Sequence, residues 1–303
     1  MTKFAKIGIF ILSISLLFFC NKKNESKETI IKGNLKVLVD ETIVPIIEDQ
    51  VMVFESEYEA KIKLFPKSET EIIQSLTKDS MNVAIMSRKL SQKEMDYFVS
   101  KKLMPKQTIF ATDAIAFISN KNNKDTIVAL QEVLDFMKGK SNQKIKGLVF
   151  DNPNSSTVRY MNDLAGLKNS PSSGVFSFKT NDEVVKYVSE NKGMIGIVGL
   201  NWLSQPMPEA EKFISNINIL SVKAVNGTDY VFPSQNNLAE KKYPLARDLY
   251  IINCQGYSGL GMGFGSFITG ERGQRIILKS GLLPIRIPAR KIAIRKNIIK
   301  EKN

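Results

Sequence analysis

Three consecutive hydroxyl residues, Ser155-Ser156-Thr157, follow the run Asp151-Asn152-Pro153-Asn154. Pro153 ends a strand read over residues 146–150, and the hydroxyls open a helix read over 155–164. A helix start offers backbone N–H groups without partners and the positive end of the helix dipole, which together suit an anion. Ser and Thr are also ordinary caps, but one cap uses one hydroxyl. Thr42 and Thr70 stand in similar places, each shortly after another strand-like segment. Ser87-Arg88 follow the apolar run 83–86, and a guanidinium meets a tetrahedral oxyanion through two parallel bonds. The same spacing allows Arg88 to pair instead with Glu94 or Asp96. Asp113 interrupts a long apolar strand, where a carboxylate is either a hinge residue paired across the lobes or a hydrogen-bond acceptor, the structural role being favoured. Hydroxyls, a helix start and an arginine in these places would suit a small oxyanion.

Other chemistry is poorly supplied. The chain has no His, which removes the commonest general base and metal ligand. Its only cysteines are Cys20 and Cys254, so neither a thiolate zinc site nor a disulfide framework is expected, and no cofactor motif is found. The run GLGMGFG at 259–265 misplaces the third glycine of a dinucleotide-binding turn and lacks the later acidic residue. It is read as a flexible loop before a helix starting at Ser266.

The elements that must position these residues alternate. Short apolar strands are read at 36–39, 61–65, 83–86, 109–119, 146–150, 194–198, 217–222 and 250–253. Helical spacing of apolar residues marks 43–57, 69–77, 181–190 and 266–279, and Ser91 with Glu94 is a capping box. Repeated strand–helix–strand units predict an α/β fold with mainly parallel sheets, whose ligands sit beyond the carboxyl ends of the strands. At 303 residues and 43% hydrophobic, the chain has material for about two domains. The net charge is +13, but the lysines are scattered without a basic and aromatic stripe, so nucleic acid is not an expected partner. The densest basic cluster is the tail 286–302, either solvated or lying against an anionic membrane.

The N-terminus reads as an address. Lys3 and Lys6 precede an apolar run over 7–19 that ends on Cys20, followed at once by polar residues. The run has the length of a signal-peptide core, shorter than a comfortable membrane span. It resembles a bacterial lipoprotein signal with Cys20 as the lipidated residue, although Phe19 stands where such signals carry a small residue. An uncleaved anchor and an ordinary secretion signal are the alternatives, and all three export the body. Cys254 is read as a small buried apolar residue.

Several segments in order resemble the phosphate-binding proteins of bacterial ABC transporters. They are residues 40–45 after the first strand, IMSRKL at 85–90, ATDAIAFISN at 111–120, the hydroxyl loop 154–158, GMIGIVG at 193–199, YPLARDLY at 243–250, and Gly273-Gln274 through GLLP at 281–284. Together they span about residues 35 to 285. The resemblance implies a two-lobed type II periplasmic-binding-protein fold, each lobe a mixed sheet flanked by helices, with two hinge crossings near 116–120 and 226–243. The division expected is a signal peptide over 1–20, a tether over 21–34, lobe 1 from 35–118 and 240–290, lobe 2 from 119–239, and a basic tail over 291–303. It further implies a periplasmic, membrane-anchored receptor that captures inorganic phosphate and hands it to an ABC transporter permease, and no enzymatic role.

Carried over by position, Thr42, Ser87, Ser155, Ser156 and Thr157 become donors to phosphate, with Thr70 or Ser68 as another. Two departures matter. Ser156 replaces a usual Gly, and the charges are exchanged: Asp151 stands where many members have Arg, and Arg88 where some have Asp. The expectation is that Arg88 supplies the cation and Asp151 accepts a proton-bearing oxygen, selecting hydrogen phosphate over sulfate. The alternative is that Asp151 merely pairs with Arg88 or Arg159. Other functions remain open: a receptor or sensor for another oxyanion, an α/β hydrolytic enzyme disfavoured by the missing His and nucleophile–base pair, and a lipid-anchored interaction module using the basic tail.

Overall fold

The structure, a computed structural model, describes residues 28–78, 81–171 and 173–288. Cys20, the signal segment, the first part of the tether and the tail over 291–303 lie outside the described residues. Among the described residues no helix is long and apolar enough to cross a membrane.

The chain begins with β1 (Lys32–Asp40), a 3-10 turn (Glu41–Ile43), α1 (Val44–Glu57), β2 (Glu59–Lys67), α2 (Glu69–Thr77), β3 (Val83–Met86) and α3 (Gln92–Ser100). Pro45 sits in the first turn of α1, where its missing N–H costs nothing. Ser68 with Glu71 and Ser91 with Glu94 form capping boxes that start α2 and α3. The long β4 (Lys106–Asn120) leads to β5 (Ile127–Ala129), α4 (Leu130–Met137), β6 (Gly147–Phe150), α5 (Ser156–Ala165), β7 (Val175–Ser177), α6 (Asn181–Glu190), β8 (Met194–Gly199), α7 (Asn201–Ser204) and α8 (Pro208–Ile214). Then come β9 (Ile217–Ile219), β10 (Ser221–Lys223), β11 (Tyr230–Val231), α9 (Gln235–Ala239), β12 (Ala246–Asn253), α10 (Leu260–Thr269), α11 (Glu271–Lys279) and β13 (Leu283–Pro284).

The main sheet runs β2-β1-β3-β12-β4-β8-β6-β7, with β9 and β13 added on β4, and β11-β10-β5 form a small separate sheet. β1 is parallel to β2 and β3, and β6 is parallel to β7 and β8. The strand that joins these two parallel groups is β4. Its first part pairs antiparallel with β12, ending at Ala114↔Ala246, and its last part pairs with β8, starting at Ile115↔Gly199. The exchange of partner falls just ahead of the segment 116–120. The returning chain lies directly alongside, since Ile115 N–H donates to the Leu245 carbonyl at 2.9 Å and Tyr243 O–H to the Ile115 carbonyl at 2.8 Å.

Each lobe has its own core. In the first, Val37, Phe54, Ile85, Phe110 and Phe264 pack on one face of the sheet and Leu38, Ile72, Met86 and Phe98 on the other. In the second, Phe117, Val133, Phe150, Met161, Val184 and Ile197 are buried together. Cys254 is buried just after β12.

Two sequence readings are corrected. The glycine-rich run is part of helix α10, not a loop, and the helix read over 266–279 is two helices that meet at Gly270. Helical glycine is costly in itself. The reason for it at Gly263 is the close passage of the segment before β1, because a Cβ there would fall 1.6 Å from the Ile30 carbonyl oxygen.

Phe54, 1% exposed and edge-on to Phe264 and Phe267, holds α1 to α10. Phe54→Ala is expected to lower stability by about 3–5 kcal/mol in a denaturant titration, as large-to-small core changes do.

Candidate functional site

The site forms where the carboxyl end of β1, the start of α5 and the start of β12 converge on one guanidinium. Along β12 the burial alternates, so Arg247 is in phase with the buried Leu249 and Ile251 and faces inward. Its register partner on β4 is Asp113. Arg247 Nε and Nη2 donate to Asp113 Oδ2 at 3.0 and 2.9 Å, and the side chains are 2% and 0% exposed. The other edge of the guanidinium reaches out of the pair. Nη1 donates to Ser156 Oγ at 3.0 Å and Nη2 to Thr42 Oγ1 at 3.1 Å. Thr42 comes from the first lobe and Ser156 from the second, and their hydroxyl oxygens lie 3.2 Å apart.

Thr42 is held by Asp40, whose Oδ1 accepts from its N–H at 3.0 Å and its hydroxyl at 2.9 Å. Its carbonyl accepts from the second lobe, from Trp202 Nε1 at 2.7 Å and Asn201 Nδ2 at 3.3 Å. Gly199 permits this approach, since a Cβ on it would meet Asn201 Oδ1 at 2.6 Å.

On the second lobe, Ser155 caps α5 by accepting from Val158 N–H and donates its own hydroxyl to Asp151 Oδ1 at 2.5 Å. Asn181 Nδ2 donates to the other oxygen of Asp151 at 3.2 Å. The first-turn N–H groups of Ser156 and Thr157 have no acceptor within the helix. Ser156 and Thr157 are fully buried, and Thr157 Oγ1 has no partner. Ser87, one residue past β3, is also buried with an unpartnered hydroxyl.

Carboxylates crowd this region. Burial pushes Asp151 up to about 6, helped by the nearby Asp40 charge and opposed by the Ser155 bond and by Arg247. Burial likewise pushes Glu41 up to about 7, helped by Asp151, Asp40 and Glu71. Asp113 is also raised by its full burial, against the pull of Arg247. The folded protein therefore holds protons on Asp151 and Glu41 more tightly than the unfolded chain does. Their contribution favours the fold at low pH and is lost as pH rises through the folded values.

Of the residues singled out by sequence, the structure brings Thr42 and Ser156 into direct contact and sets Asp151, Ser155 and Thr157 in the adjoining turn. Ser87 lies nearby at the end of β3. Thr70 is exposed in the first turn of α2 and does not join them. Arg88 is a correction. Its Nε donates to Glu69 at 2.7 Å and its Nη1 and Nη2 to Glu94 at 2.8 and 3.0 Å, so it pairs as its spacing to Glu94 allowed. Asp151 bonds to Ser155 and Asn181 and to neither Arg88 nor Arg159, so the expected exchange of charges across the cleft does not form. The buried cation is Arg247, which sequence reading left without a role. The signal that finds it is a charge in phase with Leu249 and Ile251.

The arrangement gathers hydroxyls, free helix N–H groups and one buried guanidinium from both lobes, with Asp151 as an acceptor beside them. It can hold a small tetrahedral oxyanion that carries a proton. Among the described residues no group of three or more His, Cys, Asp or Glu side chains is placed to hold a metal ion.

Comparison with known proteins points the same way. The family model described as a PBP superfamily domain matches residues 24–272. A phosphate-binding protein PstS from Borreliella burgdorferi is 26% identical over 297 residues, covering 92% of this chain and 98% of that protein. A phosphate-bound structure from Clostridium perfringens superposes with a TM-score of 0.68 at 19% identity, covering 84% of this chain and 100% of that one. An ABC-type phosphate transport receptor from Vibrio cholerae gives 0.64 at 16% identity, covering 83% and 100%.

Removing one partner of a buried ion pair strands the other. Arg247→Met is expected to cost about 3–5 kcal/mol, and adding Asp113→Leu to restore most of it, read as unfolding midpoints of the single and double variants. Asp151→Asn keeps the Ser155 bond, and the unpartnered Oδ1 of Asn181 can turn to accept from it. As pH rises from about 4 through the folded Asp151 value of about 6, the wild-type midpoint should fall relative to that of Asp151→Asn.

Proposed function

We propose that this chain, which belongs to the PBP superfamily, captures inorganic phosphate between its two lobes and delivers it to an ABC transporter. The observation that carries the reading is the meeting of Thr42 and Ser156, one hydroxyl from each lobe, on the Arg247 guanidinium at the start of α5. A tetrahedral anion has several oxygens to satisfy, and donors converge here from several directions. The names of the Borreliella and Vibrio relatives support phosphate as the anion.

The binding residues in this reading are Thr42, Ser87, Ser155, Ser156 and Thr157 with Arg247. Thr157 Oγ1 and Ser87 Oγ are the hydroxyls available to a ligand, being buried and unpartnered. Asp151 accepts a proton-bearing oxygen of the ligand. Hydrogen phosphate offers such an oxygen and sulfate does not, so the site favours phosphate. The role is capture and release, with no bond made or broken. Export rests on the apolar run before Cys20, and lipidation of Cys20 holds the receptor at the periplasmic face of a membrane beside its permease.

Trp202 is the chain's one tryptophan and its indole N–H spans the lobes to the Thr42 carbonyl, so its emission reports on closure. Isothermal calorimetry and Trp202 fluorescence should both show one phosphate bound per chain, with sulfate weaker by about 100-fold or more. Thr157→Val should weaken phosphate by roughly 10-fold, through one lost bond to a charged ligand. Equal affinity for the two anions would remove the role given to Asp151, and no phosphate binding would overturn the reading as a whole.

A further inference from the structure

Besides the candidate anion site, one more charged contact among the described residues joins the lobes, and the capture function does not account for it. Glu69 is the first residue of α2 in the first lobe, and its side chain is 4% exposed. Its Oε1 lies 2.7 Å from Arg88 Nε on the same lobe and 2.7 Å from Arg159 Nε on the other. The two contacts differ in kind. Arg88 donates a well-aligned hydrogen bond, whereas Arg159 Nε is out of line for one and acts through charge. Arg88 is itself gripped on its far edge by both oxygens of Glu94, and Arg159 is kept on its helix by Asp163 at 2.6 Å, four residues on.

We propose that Glu69 is a clasp, held in place by Arg88, that closes the lobes over the anion by capturing Arg159. The inference rests on the capture reading for its affinity measurement. Each arginine keeps a carboxylate of its own lobe, so both ends of the clasp are arranged before the lobes meet. What closure adds to the clasp itself is the Glu69–Arg159 contact. Arg159 lies four residues after Ser155, one turn down the helix whose first turn faces the anion, so the clasp draws that turn toward the first lobe. Glu69 is a positioning residue: it touches no ligand, and it favours the closed state to which the anion binds. Whatever share of closing it supplies is a share the anion need not supply, so its loss weakens affinity with every direct contact intact. The arginine side chains are 25% and 32% exposed, so dissolved salt screens the contact.

The test uses the whole protein and the variants Glu69→Gln, Arg159→Gln and their combination. Phosphate affinity is measured by calorimetry at low and high sodium chloride. Each single variant should lose about 5- to 50-fold at low salt, the range of a modest coupling. The double variant should lose no more than the weaker single, and the salt dependence of the wild type should flatten in all three. Losses that add, or a Glu69→Gln protein that binds as the wild type does, overturn the clasp. Should Glu69→Gln fail to fold, Arg159→Gln alone decides by the same affinity and salt criteria. A wild type that binds no phosphate defeats the capture reading instead. The clasp is then judged from spin labels at the exposed Lys93 and Lys168, one on each lobe: the distance distribution shifts to longer separations in Glu69→Gln, and superposition with the wild type overturns it.

Discussion

A guanidinium removed from water has to find an opposite charge and an acceptor for each of its N–H groups, and few side-chain arrangements can do both. Arg247 finds its opposite charge in Asp113 on the neighbouring strand, which uses Nε and part of Nη2. Three hydrogens remain, and two of them go to Ser156 and Thr42. One of these belongs to each lobe. The need to satisfy a single buried cation therefore fixes how the lobes meet, where the helix start points and which hydroxyls face each other. The pair also explains why a carboxylate interrupts the apolar run of β4, since Asp113 is the counter-charge that makes Arg247 tolerable inside.

The sequence made the α/β alternation legible because apolar spacing changes cleanly between strands and helices. The hydroxyls of α5 were legible for a similarly local reason: Pro153 and three successive hydroxyl residues mark a helix start whatever surrounds it. What could not be read is what depends on partners distant in the chain. The phase of Arg247 with Leu249 and Ile251 marks it as inward, but only the pairing of β12 with β4 brings it Asp113 as a counter-charge, and only the fold places Arg88 at the rim between Glu69 and Glu94. The glycines of α10 misled for the same reason. Their composition signals a loop, while the passage of Ile30 that calls for Gly263 comes from more than two hundred residues away. Thr70 shows the reverse error, in which a correct local setting, the first turn of a helix, turns outward.

The acidic character of the site follows from its closeness. Asp40, Asp113 and Asp151 all act on Arg247, with Glu41 close to Asp40 and Asp151, and burial raises Glu41, Asp113 and Asp151 above the usual carboxylate range. In the proposed role, such a site would favour ligands that bring a proton, because two unprotonated groups facing each other would repel. Asp151 has hydrogen bonds from Ser155 and Asn181 that hold it in one orientation, so its free lone pairs have a fixed direction. In the proposed role, that fixed orientation is what lets a carboxylate accept from a proton-bearing anion beside it.

The continuity of β4 has a consequence for how such a protein can be divided or inherited. A strand that gives its first half to one core and its second half to the other is not a linker, and neither lobe owns it. Cutting the chain between Ala114 and Ile115 would strip β12 of its partner on one side and β8 on the other, leaving two open sheet edges of the sort that aggregate. The lobes are thus poor candidates for exchange as separate modules between genes. Insertions and fusions are better tolerated at exposed loop tips, such as the one carrying Asn226 and Gly227, than at the boundary where the two cores divide.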